Sequence, residues 1–300
     1  MRPALKRLVP PPLWRALKHT RSATRALWQR RFDPGFGGRL AAWRRGAAGR
    51  PDVSVVIVTF DRLRMLREGL TCLLEQSSDR LLEVIVWDNA SSDGTGEYLD
   101  ELASRTPRLR VVHSSVNVGL NGVAEAVKLT RGFHVINVDD DVLSFPPNWD
   151  ACMAESFERV PRAGYLAANV VQNEKTNGSK PTAEHYVIRD FGDGVVVEEG
   201  PAGGWCSITS LEVLSEIGNF PRKPGEVFFL FDGDYAGRCL ESGRLIGVVR
   251  DVVVYHAAGP LLNAEYGYLR LCEEKYEGSP EFASALEHTR SVAADLKPPR

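Results

Sequence analysis

The apolar positions of the chain change period several times, and those changes mark its elements. Val53-Ser-Val-Val-Ile-Val-Thr59 is a nearly unbroken β-branched run, which predicts a strand buried on both faces. Leu63, Leu66, Leu70, Leu73 and Leu74 recur at helical spacing, predicting an amphipathic helix that ends near Gln76. Leu82–Trp87 reads as a second strand and runs into the turn-forming cluster Asp88-Asn-Ala-Ser-Ser-Asp-Gly94. Tyr98, Leu99 and Leu102 share a helix that stops by Pro107, and Leu109–His113 is a third strand. Leu120, Val123, Ala124 and Val127 share another helix. A fourth strand, Phe133–Val138, stops at three adjacent acids, Asp139-Asp140-Asp141.

Strands alternating with helices in this way predict a parallel sheet with crossover helices on both faces, an α/β fold of Rossmann type. Ligands of such sheets bind beyond the carboxyl ends of the strands. Here those ends are Thr59–Arg62, Asp88-Asn89, Ser114–Asn117 and Asp139–Asp141, each rich in acceptors. After Asp141 the pattern loosens into an α+β extension. Trp149, Cys152, Met153 and Phe157 suggest a helix, and Tyr165–Val171 a strand. Asn173–Glu184 is polar and turn-rich, a mobile loop by composition. Val187–Phe191 and Val195–Val197 flank Gly192-Asp193-Gly194 as a hairpin. A helix over Leu211–Ile217, a strand Val227–Phe231, a helix Asp234–Glu241 and a last strand Val252–His256 follow. The expected division is an arm (1–50), a parallel-sheet half (51–150), an α+β half (151–258) and a helical tail (259–300).

Composition sharpens this picture in one respect. The totals are ordinary: 300 residues, 43% hydrophobic, 25% charged, formal net charge −2. They exclude a disordered, collagenous or disulfide-stapled chain. Residues 1–50, however, hold thirteen Lys and Arg against the single acid Asp33, which leaves 24 bases and 38 acids in residues 51–300. The arm interleaves its cations with Leu5, Leu8, Trp14, Leu17, Trp28 and Trp43, a composition suited to an anionic cytoplasmic membrane surface. A solvated arm, or one packed on a partner, is the alternative. It is expected to lie outside the catalytic core. No stretch approaches the ~20 apolar residues of a membrane span. Pro10-Pro11-Pro12 stands where a secretory signal would carry its apolar core. Cys72, Cys152, Cys206, Cys239 and Cys272 form no C-x-x-C pair and read as free, mostly buried thiols of a reducing compartment. The expected location is cytoplasmic, peripheral at the inner face of the membrane if the arm binds there.

Two familiar nucleotide signatures are missing. Phe60-Asp61-Arg62 follows the first strand where G-x-G-x-x-G would stand, and no G-x-x-x-x-G-K-[ST] occurs. A nucleotide would thus be held by side chains. Three adjacent carboxylates at Asp139–Asp141 raise one another's pKa unless a cation offsets them. Mn²⁺ or Mg²⁺ does so while keeping positions for substrate phosphates. The other reading, a solvated acidic turn, is weakened by the apolar strand before it. Asp88 suits accepting from an imide N–H or ribose hydroxyls, or else starts a turn. His256 can join two carboxylates around Mn²⁺, or be structural. Asp232 follows the apolar run Val227–Phe231, where partial desolvation suits a general base. Asp234 reads as the cap of the next helix. Trp205 is either a face for a sugar or a core aromatic.

Taken in order, five motifs resemble family 2 glycosyltransferases over residues 52–257. They are Val53–Arg62; Val84 with Trp87–Asn89, Ser91 and Asp93–Thr95; Asn117-Val-Gly119; Asp139–Asp141; and Phe231-Asp-Gly-Asp-Tyr235 with Arg238. The resemblance implies a GT-A fold and inverting transfer of a sugar from a nucleotide diphosphate sugar. The acceptor would be a hydroxyl of a glycan or lipid-linked glycan, in cell-envelope or surface polysaccharide synthesis. By position it assigns Thr59, Arg62 and Asp88 to the nucleoside, with Asn117 nearby and Asp140 beside the nucleotide sugar. Asp139 and Asp141 would bracket the ribose and the metal–diphosphate, with His256 completing the metal site. Asp232 matches the catalytic base, although Phe231 stands where the family carries the first acid of Glu-Asp-x-Asp. Trp205 and Asp234 fall on the acceptor side. The Asp-x-Asp-Tyr form and Trp205 also resemble galactofuranosyltransferases.

A sugar-1-phosphate nucleotidyltransferase is the enzymatic alternative, but it needs a glycine-rich, lysine-bearing loop where residues 59–66 offer only Arg62 and Arg64. An inactive nucleotide- or carbohydrate-binding module is another. Nucleic acid is not an expected partner, because the body is acidic and carries no recognition motif.

Overall fold

A computed structural model describes residues 35–46, 51–173, 176, 180–277 and 283–295. Most of the basic arm lies outside these residues, and the membrane-surface reading with it, as does part of the loop expected at 173–184. The arm's last stretch is described. It forms α1 (Gly35–Gly46), whose Phe36 and Leu40 are buried in the main core. Arg39 of α1 donates to Thr130 Oγ1 at 2.7 Å. The segment expected to stand apart therefore ends in a helix that belongs to the body.

The parallel half forms as its periodicity predicts. β1 (Val53–Thr59) is buried along almost its whole length. It pairs in parallel with β2 (Leu81–Asp88) and β4 (His134–Asp139), and β2 pairs in parallel with β3 (Leu109–His113). The register sets Thr59 beside Asp88, Val58 beside Asp139, and Asp88 beside His113, so the polar strand ends share one edge. The crossovers are α2 (Leu63–Gln76), α3 (Thr95–Arg105) and α4 (Asn121–Leu129). Met65, Leu66, Leu70 and Leu73 form the buried stripe of α2.

The second half departs from the expected pattern in three places. First, a short β5 (Val142–Ser144) follows the acidic turn; α5 (Trp149–Arg159), β6 (Ala163–Val170), β7 (Val187–Asp190) and β8 (Val196–Glu199) come next. Second, β9 (Cys206–Ser210) inserts antiparallel between β4 and β6. Its five residues are all buried, Ser207 and Thr209 being satisfied by Tyr165 Oη and the Gly164 carbonyl. Third, Val227–Phe231 is not a strand. After α6 (Leu211–Ile217) its backbone is held by the start of α4: Leu120 N–H donates to the Val227 carbonyl, and Asn121 Nδ2 to that of Glu226. Phe229 and Phe231 are buried while Val227 and Leu230 are exposed, so this apolar run anchors a loop by two aromatic side chains without a strand partner among the described residues. α7 (Phe231–Glu241) starts directly from this loop.

β10 (Leu245–His256) is longer than the strand read at Val252–His256. Its pairing with β6 slips between Val249 and Val253, around the charged Arg250-Asp251. Beyond that irregularity its end pairs with β5, aligning His256 with Val142. The full sheet order is β3-β2-β1-β4-β9-β6-β10-β8-β7, parallel from β3 to β4 and mixed beyond. α8 (Pro260–Tyr266), α9 (Leu269–Tyr276) and α10 (Ala283–Asp295) complete the chain. Among the described residues no helix is long and apolar enough to cross a membrane.

Candidate active site

A cavity of about 710 Å³ opens at the carboxyl ends of the parallel strands, a size suited to a small-molecule ligand. Thr59, Arg62, Asn117, Asp139–Asp141, Trp205, Asp232 and His256 all line it. The sequence places these residues up to 197 positions apart (Thr59 to His256), and the sheet gathers them.

The strand register explains the centre. β4 delivers Asp139, and the antiparallel β5–β10 pair folds His256 back over the acidic turn, fixed by the Ala257 N–H donating to the Asp141 carbonyl at 2.8 Å. His256 Nε2 lies 3.0 Å from Asp141 Oδ1 and 3.7 Å from Asp139 Oδ2. The three residues each offer a ligand atom, all within 4.8 Å of one another. Asp141 and His256 are buried, whereas the Asp139 side chain is 34% exposed, which leaves the cluster open on the cavity side. Two carboxylates and an imidazole with an open face fit a hard divalent cation such as Mn²⁺ or Mg²⁺.

Electrostatics divides the three acids. Burial above all, and then the charge of Asp141, push the Asp139 pKa up to about 6. Burial also opposes charge on Asp141, but the charge and hydrogen bond of His256, helped by Arg62, hold its carboxyl far below the usual range. Burial lowers the His256 pKa, yet Asp141 and Asp139 more than reverse that and leave it raised. Arg62 is committed to this cluster: Nη1 donates to Asp140 Oδ1 at 3.1 Å and to Asp141 Oδ2 at 2.8 Å. Thr59 Oγ1 donates to Asp140 Oδ2 at 2.9 Å. Both residues line the cavity, but in this state they support the carboxylates.

Asp232 does not end a strand; it lies in the first turn of α7. Gly204 N–H donates to its Oδ2 at 2.9 Å and Gly233 N–H to its Oδ1 at 2.8 Å. Burial, the largest influence, raises its pKa against these two bonds. The close approach needs glycine, since a Cβ on Gly204 would stand 2.8 Å from the Phe231 ring and 3.3 Å from Asp232 Cβ. Trp205 is a wall residue and only 5% exposed; Nε1 donates to the Ala168 carbonyl at 2.8 Å, and its ring stacks on His256 at 6.1 Å between centroids.

Two expected contacts fall elsewhere. Asp88 is buried and outside the cavity lining, its oxygens taken by Ser91 N–H at 3.0 Å and His113 Nδ1 at 3.0 Å. It shapes the strand-end loop from behind, because that loop turns its carboxylate inward. Asp234 is exposed, lies inside the first turn of α7 and is outside the lining; the cap position is Leu230. The helix simply begins earlier than its acids suggest. Conversely, Asn89 lines the cavity and fastens the next loop, accepting from Val118 N–H and donating to the Gly119 carbonyl, both at 3.2 Å. Lys275 of α9 also lines it. Asn89 could have been read from its strand-end position beside Asp88, whereas nothing in the sequence near Lys275 signals a site.

Rossmann-like sheets bind their ligands beyond the carboxyl ends of the strands, where the acidic cluster of this chain lies. Residues 54–211 match the family described as Glycosyl transferase family 2, and the chain belongs to that family. Its fold is the GT-A fold of glycosyltransferases. The family match speaks against the nucleotidyltransferase alternative. The uncharacterised glycosyltransferase EpsJ of Bacillus subtilis is 31% identical over 93 residues, 30% of this chain and 26% of that protein. The chain aligns with about a quarter or less of the curated relatives it matches. A mannosyltransferase from Pyrobaculum calidifontis, solved with GDP-Man and Mn²⁺, superposes with a TM-score of 0.53 at 17% identity over 91% of this chain and 87% of that one. S. aureus TarS 1–349 with UDP-GlcNAc gives 0.54 at 17% identity over 82% and 71%.

Proposed function

We propose that this glycosyltransferase is metal-dependent and inverting, and moves a sugar from a nucleotide diphosphate sugar to a hydroxyl of a glycan or lipid-linked glycan. The observation that carries this reading is the convergence of Asp139, Asp141, His256 and Asp232 on one cavity. Asp139, Asp141 and His256 would hold Mn²⁺ or Mg²⁺. When bound, that cation offsets negative charge on the diphosphate.

The chain's own groups supply the remainder. Thr59, Asn89 and Asn117 line the cavity and would receive the nucleoside, with Asp140 and Arg62, which also line it, toward the ribose and phosphates. Asp232 Oδ1 and Oδ2 are oriented by backbone N–H groups, and the raised pKa makes the carboxylate a better proton acceptor than a solvated one. It takes the proton of the acceptor hydroxyl as that oxygen attacks, and a single displacement inverts the sugar's configuration. Trp205 backs the acceptor side and keeps His256 in place. The Asp-x-Asp-Tyr likeness favours galactofuranose as a donor sugar to include in trials, and a role in cell-envelope or surface polysaccharide synthesis accords with a glycan acceptor.

The test is release of nucleoside diphosphate from a panel of UDP- and GDP-sugars with Mn²⁺. Release from at least one donor, abolished by chelation, is expected. Pyrophosphate release, or turnover indifferent to chelator, contradicts the proposal.

A further inference from the structure

We propose that Lys275 binds the diphosphate of the donor and offsets the charge that grows there as the sugar leaves. This rests on the nucleotide-sugar reading above, but on residues outside the segment that defines the family, which ends at residue 211.

Among the described residues, three cationic side chains line the cavity: Arg62, His256 and Lys275. Arg62 is paired with Asp140 and Asp141, and His256 with Asp141. Among the described residues the Lys275 ammonium has no hydrogen-bond or ion-pair partner; it rests on aromatic rings, 4.4 Å from the centre of Phe228 and 5.5 Å from that of Tyr276. The neighbouring Glu274 is occupied by Arg270 at 2.8 Å. A cation–aromatic contact steadies an ammonium while leaving its three N–H donors available. Such a half-buried, unbonded charge is costly until an anion reaches it.

The position suits the diphosphate. Burial works most strongly against the ammonium's charge, but Tyr276, Asp141 and Asp139 outweigh it, so Lys275 is cationic and within reach of the acidic cluster's field. Phe228 belongs to the loop before α7, and its ring meets Tyr276 edge-on at 5.7 Å. The tail helix and that loop thus close one wall together and present a point charge, the lysine mode of phosphate recognition. A diphosphate lying between a cation held by Asp139, Asp141 and His256 and the Lys275 ammonium of α9 would meet positive charge on both sides.

Calorimetry with UDP, GDP, UMP, GMP and inorganic pyrophosphate in the presence of Mn²⁺ tests this on the full chain and on Lys275→Met and Lys275→Arg. Lys275→Met is expected to weaken the bound diphosphate about tenfold or more and the corresponding monophosphate less than threefold. Lys275→Arg should restore most of the loss. If Lys275→Met does not fold, Lys275→Gln carries the same comparison. Equal affinity of wild type and variant for UDP or GDP overturns the assignment and leaves the donor reading intact, as does equal weakening of mono- and diphosphates. Failure of the wild type to bind UDP, GDP or pyrophosphate overturns both.

Discussion

His256 Nε2 sits 3.0 Å from Asp141 Oδ1, with both side chains buried, one at the end of β10 and the other in the turn before β5. Without a cation, this pair and Arg62 balance the acidic turn. Asp141→Ala leaves two buried cations without their shared partner, and removing one side of a buried pair costs about 3 kcal/mol. Chemical denaturation should show that loss. Thermal melts should show a rise with Mn²⁺ in the wild type and lose it in the variant; an unchanged rise would place the cation elsewhere.

Asp232→Asn keeps the shape of the carboxylate but not its basicity. Transfer should fall about 10²- to 10⁴-fold, the usual contribution of a positioned base. Donor affinity should stay within a few-fold. Equal turnover of variant and wild type would move the base to another residue.

The parallel half was legible because its hydrophobic periods are long and its strands end in polar clusters. Thr59, Asp139, Asp141 and His256 could be found in this way. β9 was not, because Ser207 and Thr209 make a fully buried strand look like a loop until Tyr165 and Gly164 are seen to satisfy them. The run Val227–Phe231 misled in the opposite direction, since a continuous apolar stretch predicts burial and not pairing. The inward turn of Asp88 and the arrival of Lys275 depend on tertiary packing over long separations, which local pattern does not encode.

Gly69 packs α2 against β5, just after the acidic turn. A Cβ there would stand 2.2 Å from the Val142 carbonyl oxygen, so Gly69→Ala must displace β5 or α2 despite alanine's better helix propensity. A destabilisation of about 1–3 kcal/mol is expected from such overpacking. Denaturant midpoints measure it, and a more stable variant would refute the packing.

At the other end of β1 and β4, Asp52 accepts from Arg80 at 2.7 and 2.9 Å and lies 2.8 Å from His134 Nδ1. Arg80 also reaches Glu158, so a guanidinium fills the place between these acids. Burial opposes the charge of Asp52, but bonds to His134 and Arg80 hold its pKa at about 2, below the ordinary 3.8. A depressed carboxyl contributes stability above its unfolded pKa and loses it as pH falls through the folded one. Roughly 2 kcal/mol should therefore disappear between about pH 4 and pH 2. Asp52→Asn should flatten stability over that window; an identical acid profile would contradict the assignment.

Deleting residues 1–34, and not the packed helix that follows, isolates the basic segment. If it binds a membrane surface, at about 1 kcal/mol per Lys or Arg near anionic lipid, sedimentation with anionic vesicles should drop sharply on deletion. Unchanged sedimentation would exclude that role.

The anomeric configuration of the product, followed by NMR during turnover of an active donor with Mn²⁺, tests the central claim most directly. Inversion is expected, with formation lost on chelation and in Asp232→Asn. A product that retains the donor's configuration would contradict single displacement by a hydroxyl activated at Asp232.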